Sequence, residues 1–306
     1  MAVLEYVLLV IFSYFVGNIS WARIISRKNN GDITKSGSGN PGTMNMLRTY
    51  GVGLGFLTLI LDALKGIIPS LAGMFLFKYT GLNAEIGLYV AGLSAVVGHM
   101  FPVIYKFKGG KGVATSLGVF MVANPLWLLI AFVGGFIYVW FFDYGSVASL
   151  VIISFMTVIQ GYKNNLTYKG DLSVLLVLNL LLFAIFTLVW VAHRKNIVRL
   201  LLGKENKANL QKSFKKKLKK QKKEEAKTEY HEHKSELRQE YKKLKAEYKK
   251  DVKEKKKELK QQYKEIKDSL KQTNAELLTT EIQNELEDNK QDEEIADGVN
   301  NGANNE

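Results

Sequence analysis

Two hydropathy regimes divide this chain. Up to Lys207, runs of mostly apolar residues alternate with short polar loops; beyond it no such run occurs, and Lys, Glu, Gln and Asn dominate. A helix that crosses a bilayer needs about 20 mainly apolar residues, so residues 1–207 read as a multi-pass membrane protein. The pattern predicts spans over Ala2–Ile25, Gly51–Phe77, Ala84–Ile104, Ser146–Gln160 and Leu172–Ala192. Between the third and fourth of these, Gly112–Phe142 holds 31 apolar-rich residues, long for one span and short for two. Asn124-Pro125 lies inside it, and proline disfavours helix at the residue before it. A break there gives seven mostly short spans. The first span has no Ala-x-Ala-like cleavage site and no Lys or Arg at its start, so it is expected to be retained.

Charge placement agrees with seven. With the N-terminus outside, the inward loops carry 11 Lys and Arg (five in 23–48, three in 106–111, three in 194–199) against Lys78, Lys163 and Lys169 outside. Six spans would invert that bias, so the positive-inside rule predicts an all-α integral membrane protein with its C-terminus and both glycine-rich loops cytoplasmic. The formal +13 divides into +10 on residues 1–207 and +3 on the remainder, so it marks membrane topology and not nucleic-acid binding. Zero cysteines exclude disulfides and thiolate chemistry, and four histidines, two of them beyond residue 207, make neither a metal site nor a cofactor expected.

After Lys207 the apolar period changes. Tyr230, Leu237, Tyr241, Leu244, Tyr248, Val252, Leu259, Tyr263, Ile266, Leu270 and Leu277 recur at helical steps among Lys and Glu. The expected organisation is a membrane domain over 1–207, a lysine/glutamate-rich helical extension over 208–280 and an acidic, disordered tail over 281–306. The extension could self-associate as a coiled coil or lie on the membrane surface. No chemistry-bearing motif occurs beyond Lys207, so deletion of 208–306 is expected to leave any activity of the membrane domain in place.

Four polar motifs interrupt the apolar pattern. Ser36-Gly37-Ser38-Gly39-Asn40-Pro41-Gly42-Thr43-Met44-Asn45-Met46-Leu47-Arg48 combines glycines, small hydroxyls and a terminal Arg, a composition suited to an oxyanion. Asp62-Ala63-Leu64-Lys65-Gly66 puts two ionisable groups three residues apart on one face of a span, at a cost of about 2.5–3.5 kcal/mol each at a bilayer centre. Gly98-His99-Met100-Phe101-Pro102 leads into Lys106-Phe107-Lys108-Gly109-Gly110-Lys111-Gly112-Val113-Ala114-Thr115, glycines beside lysines without the Walker A spacing. The fourth, His193 to Lys207, adds His, Asn and Glu to what would otherwise be a basic anchor.

In this order and spacing, the four motifs resemble the PlsY family, the bacterial membrane acyl-phosphate:glycerol-3-phosphate acyltransferases. The resemblance covers residues 1–207. It implies attack of a glycerol-3-phosphate hydroxyl on a fatty acyl-phosphate, giving 1-acylglycerol 3-phosphate and phosphate, the first committed step of phospholipid synthesis, at the cytoplasmic face of a bacterial plasma membrane. It implies catalytic roles for Ser38, Arg48, Lys111, His193 and Asn196. It assigns substrate binding to Asn45, Asp62, Lys65, His99, Lys108, Gly109, Gly110 and Ser146, with the N–H groups of Gly109 and Gly110 cradling one phosphate. The proton acceptor stays open among His99, His193 and the substrate phosphate. Two positions depart from the family: Met44, where a hydroxyl is usual, and Asp143, where a basic residue is usual before Tyr144. The competing class is a carrier for phosphate or an organophosphate. Such folds show internal repeats and a midplane site, whereas here no repeat is found and the polar motifs gather at one edge.

Overall fold

The computed structural model describes residues 2–273, and every regular element among them is helical. Helix α1 (Ala2–Asn18) is followed by α2 (Trp21–Lys28), α3 (Thr43–Tyr50), α4 (Val52–Tyr79) and α5 (Ala84–Met100). A 3-10 turn over Val103–Tyr105 precedes α6 (Val113–Ala123), α7 (Pro125–Phe142), α8 (Gly145–Tyr168), α9 (Leu172–Ala192), α10 (Arg194–Leu201) and α11 (Leu210–Thr273). Six stretches are long and apolar enough to cross a membrane: Val3–Lys28, α4, Ala84–Tyr105, α7, α8 and α9. The seventh apolar helix is α6, of 11 residues. The break expected at Asn124-Pro125 separates it from α7, whose first position is Pro125, where the missing N–H costs nothing. The protein is an all-α integral membrane protein.

One span is longer than its hydropathy suggested. The helix expected to stop at Gln160 continues to Tyr168, because its polar residues are partnered inside the bundle. Gln160 Nε2 donates to Asn164 Oδ1 at 3.1 Å, and Asn164 Nδ2 donates to Asn179 Oδ1 of α9 at 3.1 Å. Such amide bonds lower the cost of polar side chains in hydrocarbon, although Gln160 Oε1 itself has no partner.

Helix α4 packs against α1, α3, α5 and α6, while α8 lies between α7 and α9. Leu88, Tyr89 and Val96 of α5 meet Leu117 and Phe120 of α6, Met156 of α8 and Ile185 of α9 in the main core. Lipid is as apolar as leucine, so helix association here relies on close backbone approach. A Cβ on Gly66 would overlap the Thr115 carbonyl, and one on Gly118 the Ala63 carbonyl, so α4 and α6 touch backbone to backbone.

The chain divides into two compact units after Gln221. The first unit runs past Lys207, the boundary read from sequence: Ala208 and Leu210 are buried, and the Ala208 N–H donates to the Asp143 carbonyl at 2.7 Å. In the second unit α11 runs to Thr273, with Leu237, Leu244 and Tyr248 exposed along the stripe. Residues 274–280 and the acidic segment 281–306 lie outside the described residues.

Candidate active site

The first glycine-rich loop, Asn29–Gly42, has no regular structure and is wrapped around one side chain of α3. Asn45 donates from Nδ2 to the carbonyls of Ile33 at 3.1 Å and Ser36 at 2.9 Å, and its Oδ1 accepts the Ser38 N–H at 2.9 Å. Gly37, at φ +56°, makes the left-handed bend beside it. Both amide protons are thus committed within the loop, so Asn45, expected from sequence to bind substrate, also shapes the loop and places Ser38. Three residues on, Arg48 donates from Nε to the Lys207 carbonyl at 2.8 Å and from Nη2 to the Asn206 carbonyl at 3.2 Å. Burial lowers its pKa from the usual value, yet a guanidinium stays charged, and its other N–H groups are left for an anion.

The second loop is organised differently from its sequence expectation. The Gly109 N–H donates to the Met100 carbonyl and the Gly110 N–H to the His99 carbonyl, both at 3.1 Å. A Cβ on Gly110 would overlap the His99 ring, and one on Gly109 the His99 carbonyl. These glycines let the loop close on the end of α5, and their N–H groups, expected from sequence to cradle a phosphate, here have backbone carbonyls as partners. Lys108 is exposed and outside the cavity wall, and its bonds are backbone ones: its carbonyl accepts from Arg23 Nη2 at 2.7 Å and its N–H donates to the Tyr105 carbonyl at 3.1 Å. Lys111 is turned the other way and donates to Asn196 Oδ1.

The pair in α4 is buried, with Asp62 1% and Lys65 3% exposed. Lys65 Nζ lies 2.8 Å from Asp62 Oδ1 and 2.8 Å from His99 Nδ1, and donates to the carbonyls of Ile19 at 2.6 Å and Gly17 at 3.3 Å. Three ammonium protons face four acceptors, so none remains for a ligand. Lys65, expected from sequence to bind substrate, here ties the end of α1 to α4 and α5. Asp62 and His99 do reach the cavity wall.

The last motif forms a network centred on Glu205. Its Oε1 accepts from Asn196 Nδ2 at 2.7 Å and from Ser146 Oγ at 3.0 Å, and its Oε2 accepts from Arg199 Nε at 3.0 Å. Burial pushes the Glu205 carboxyl up, but these hydrogen bonds outweigh it and hold the pKa below the ordinary value. Glu205 and Arg199 were not singled out from sequence as site residues. The signal available was one acid in a strongly basic stretch. His193 directs Nδ1 to the Val189 carbonyl at 2.8 Å, leaving Nε2 with its lone pair. Burial first, and then the Lys111 charge, lower its pKa to about 4, so it is neutral at physiological pH. Burial likewise lowers Lys111 to about 8, with Glu205 opposing and Arg199 and Arg48 assisting.

These groups face one cavity of about 690 Å³. One part of its wall is polar, with Ser38, Arg48, Lys111, His193, Asn196 and Ser146. The rest is apolar, drawn from α4, α6, α7 and α8, including Phe56, Leu117, Phe132, Phe136, Val139 and Ile152. Thr43 also lines it, with an Oγ1 that has no hydrogen-bond partner, while Met44 covers Gly145. The hydroxyl missing at 44 thus has a neighbour able to supply one. All five residues expected to be catalytic line this cavity; of the eight expected to bind substrate, Lys65, Lys108, Gly109 and Gly110 do not. Among the described residues no cluster of His, Asp or Glu suited to a metal is found.

Known proteins give the arrangement a lineage. The family model for glycerol-3-phosphate acyltransferase matches residues 7–203. A glycerol-3-phosphate acyltransferase of Aquifex aeolicus is 34% identical over 202 residues, covering 65% of this chain and 97% of that protein. That of Finegoldia magna is 41% identical over 204 residues, covering 66% and 95%. The crystal structure of PlsY, an integral membrane glycerol 3-phosphate acyltransferase, in its glycerol 3-phosphate form superposes with a TM-score of 0.57 at 33% identity, covering 66% of this chain and 95% of that one. Its lysophosphatidic acid form gives 0.54 at 34% identity, with the same coverage. With most of the membrane unit matched by the family model and whole relatives covered nearly end to end, this chain belongs to the glycerol-3-phosphate acyltransferase family.

Proposed function

We propose that the protein transfers a fatty acyl group from an acyl-phosphate to a hydroxyl of glycerol 3-phosphate, releasing 1-acylglycerol 3-phosphate and inorganic phosphate. The observation that carries this reading is the cavity itself, which joins an apolar pocket to a polar end bearing Lys111, Arg48 and His193. An acyl-phosphate has the same division, a hydrocarbon chain ending in a dianion.

In this reading the acyl chain occupies the apolar part, and Lys111 and Arg48 neutralise the phosphate groups of donor and acceptor. The acceptor hydroxyl forms the new C–O bond to the acyl carbonyl carbon, the bond from that carbon to the phosphate oxygen breaks, and the hydroxyl proton ends on the departing phosphate. The free Nε2 of neutral His193 accepts a hydrogen bond from the attacking hydroxyl and orients it. Ser38 and Ser146 add hydroxyls along the same wall. Because phosphate is already a good leaving group, positioning and charge neutralisation supply most of the acceleration, and no protein nucleophile is required. In this reading the site faces the cytoplasm of a bacterium, with the N-terminus outside and the C-terminus inside, an orientation supported by the positive-inside bias of the loops.

The test is phosphate release by the purified, detergent-solubilised protein given palmitoyl-phosphate and glycerol 3-phosphate. Release that needs both substrates and is lost in Lys111→Ala is the expected result. Intact acyl-phosphate in the presence of well-folded protein would overturn the reading.

A further inference from the structure

The family match ends at residue 203, and the relatives are covered almost completely by about two-thirds of this chain. Yet Leu210, Phe214 and Lys217, in the first turns of α11, line the same cavity as the site residues. Their spacing of four and three puts them on one helix face. We propose that residues 208–217 are a wall of the acyl pocket, added by this chain's own extension, and that Phe214 sets the length of acyl chain the pocket accepts. This rests on the acyltransferase reading above.

The segment is fastened at several points. Ala208 donates its N–H to the Asp143 carbonyl at 2.7 Å, and Leu210 its N–H to Asp143 Oδ1 at 3.3 Å. Asp143, which ends α7 at φ +68°, therefore receives the start of α11, and a basic side chain there would offer no acceptor to Leu210. Gln211 Nε2 donates to the Trp140 carbonyl at 2.8 Å, and the Phe214 ring meets Trp140 edge-on with centroids 5.8 Å apart. Upstream, Arg48 holds the carbonyls of Asn206 and Lys207. Leu210 is buried although Lys212, Lys215, Lys216 and Lys217 around it are exposed. Phe136 and Val139 of α7 line the cavity along with Phe214, so the occupant this wall suits is hydrocarbon. An apolar wall discriminates chain length by volume, roughly 10–200-fold per methylene gained or lost against a tight surface.

The experiment uses full-length protein and acyl-phosphates from twelve to eighteen carbons. Phe214→Ala is expected to raise the kcat/KM ratio for the longest over the shorter donors by about tenfold, and Phe214→Trp to lower it, while Tyr248→Ala, in the second unit, leaves the profile unchanged. Thermal stabilisation by 1-acylglycerol 3-phosphates of the same chain lengths reads the wall without turnover, and its chain-length dependence should shift in the same direction. Wild-type-like profiles in both Phe214 variants, with active protein, would overturn the wall assignment alone. A wild type that neither turns over nor is stabilised by any of these lipids would remove the acyltransferase reading and the wall with it.

Discussion

Lys65 and Lys111 are both lysines from glycine-flanked motifs, both withdrawn from water, and their surroundings differ in one respect that decides their roles. Lys65 has more acceptors than protons: a carboxylate, an imidazole and two carbonyls. Lys111 has one side-chain acceptor, Asn196, and faces the cavity. A saturated ammonium has no proton left to offer a ligand, whereas an unsaturated one facing a cavity has. Buried charge alone does not distinguish the two; the count of acceptors does.

Four measurements test that contrast. Lys65→Met leaves Asp62 buried without its partner and should destabilise the protein by roughly 3–5 kcal/mol, read as a large fall in Tm with activity lost in step. Lys111→Ala should lower kcat/KM by about 10²–10³ while Tm barely moves; a large Tm loss would make it a second tie. The pH profile comes next. Lys111, at about 8, is charged below that pH and neutral above it, so kcat/KM should fall about tenfold per pH unit beyond 8. His193, at about 4, gives no inflection near the ordinary histidine value. Smallest of all, Lys108→Ala should change kcat/KM by less than about twofold, since an exposed charge is screened by solvent.

Much of this fold was legible in advance because a bilayer enforces simple rules. Span length and the Asn124-Pro125 break follow from hydropathy and proline stereochemistry, and the helix break falls where that reading put it. The residues expected to be catalytic gather on one cavity because polar groups between apolar runs have few places to go. What was illegible was direction. Sequence spacing does not say whether a glycine N–H faces a ligand or a carbonyl of its own chain, and at Gly109 and Gly110 it faces the carbonyl. Nor does it reveal that Asn45 turns inward to the loop before it, or that Glu205 collects Ser146, Asn196 and Arg199 from separate stretches. Nor does it reveal what the chain does past Lys207. Motifs stop there, but apolar contact continues through Leu210 and Phe214.

The shortness of α6 has a physical consequence of its own. Eleven residues extend about 16 Å, whereas a bilayer's hydrocarbon is about 30 Å thick. The two ends of α6 cannot both reach headgroups, so one is submerged. The end at Lys111 and Gly112 carries charge and resists submersion. The end at Asn124 suits it: its N–H donates to the Phe120 carbonyl, its own carbonyl accepts from Leu128, and Pro125 brings no N–H at all. Bilayer thickness therefore acts on the far turn, at a fraction of a kcal/mol per ångström, while the loop bearing Lys111 keeps its place at the water's edge whatever the length of the surrounding lipid.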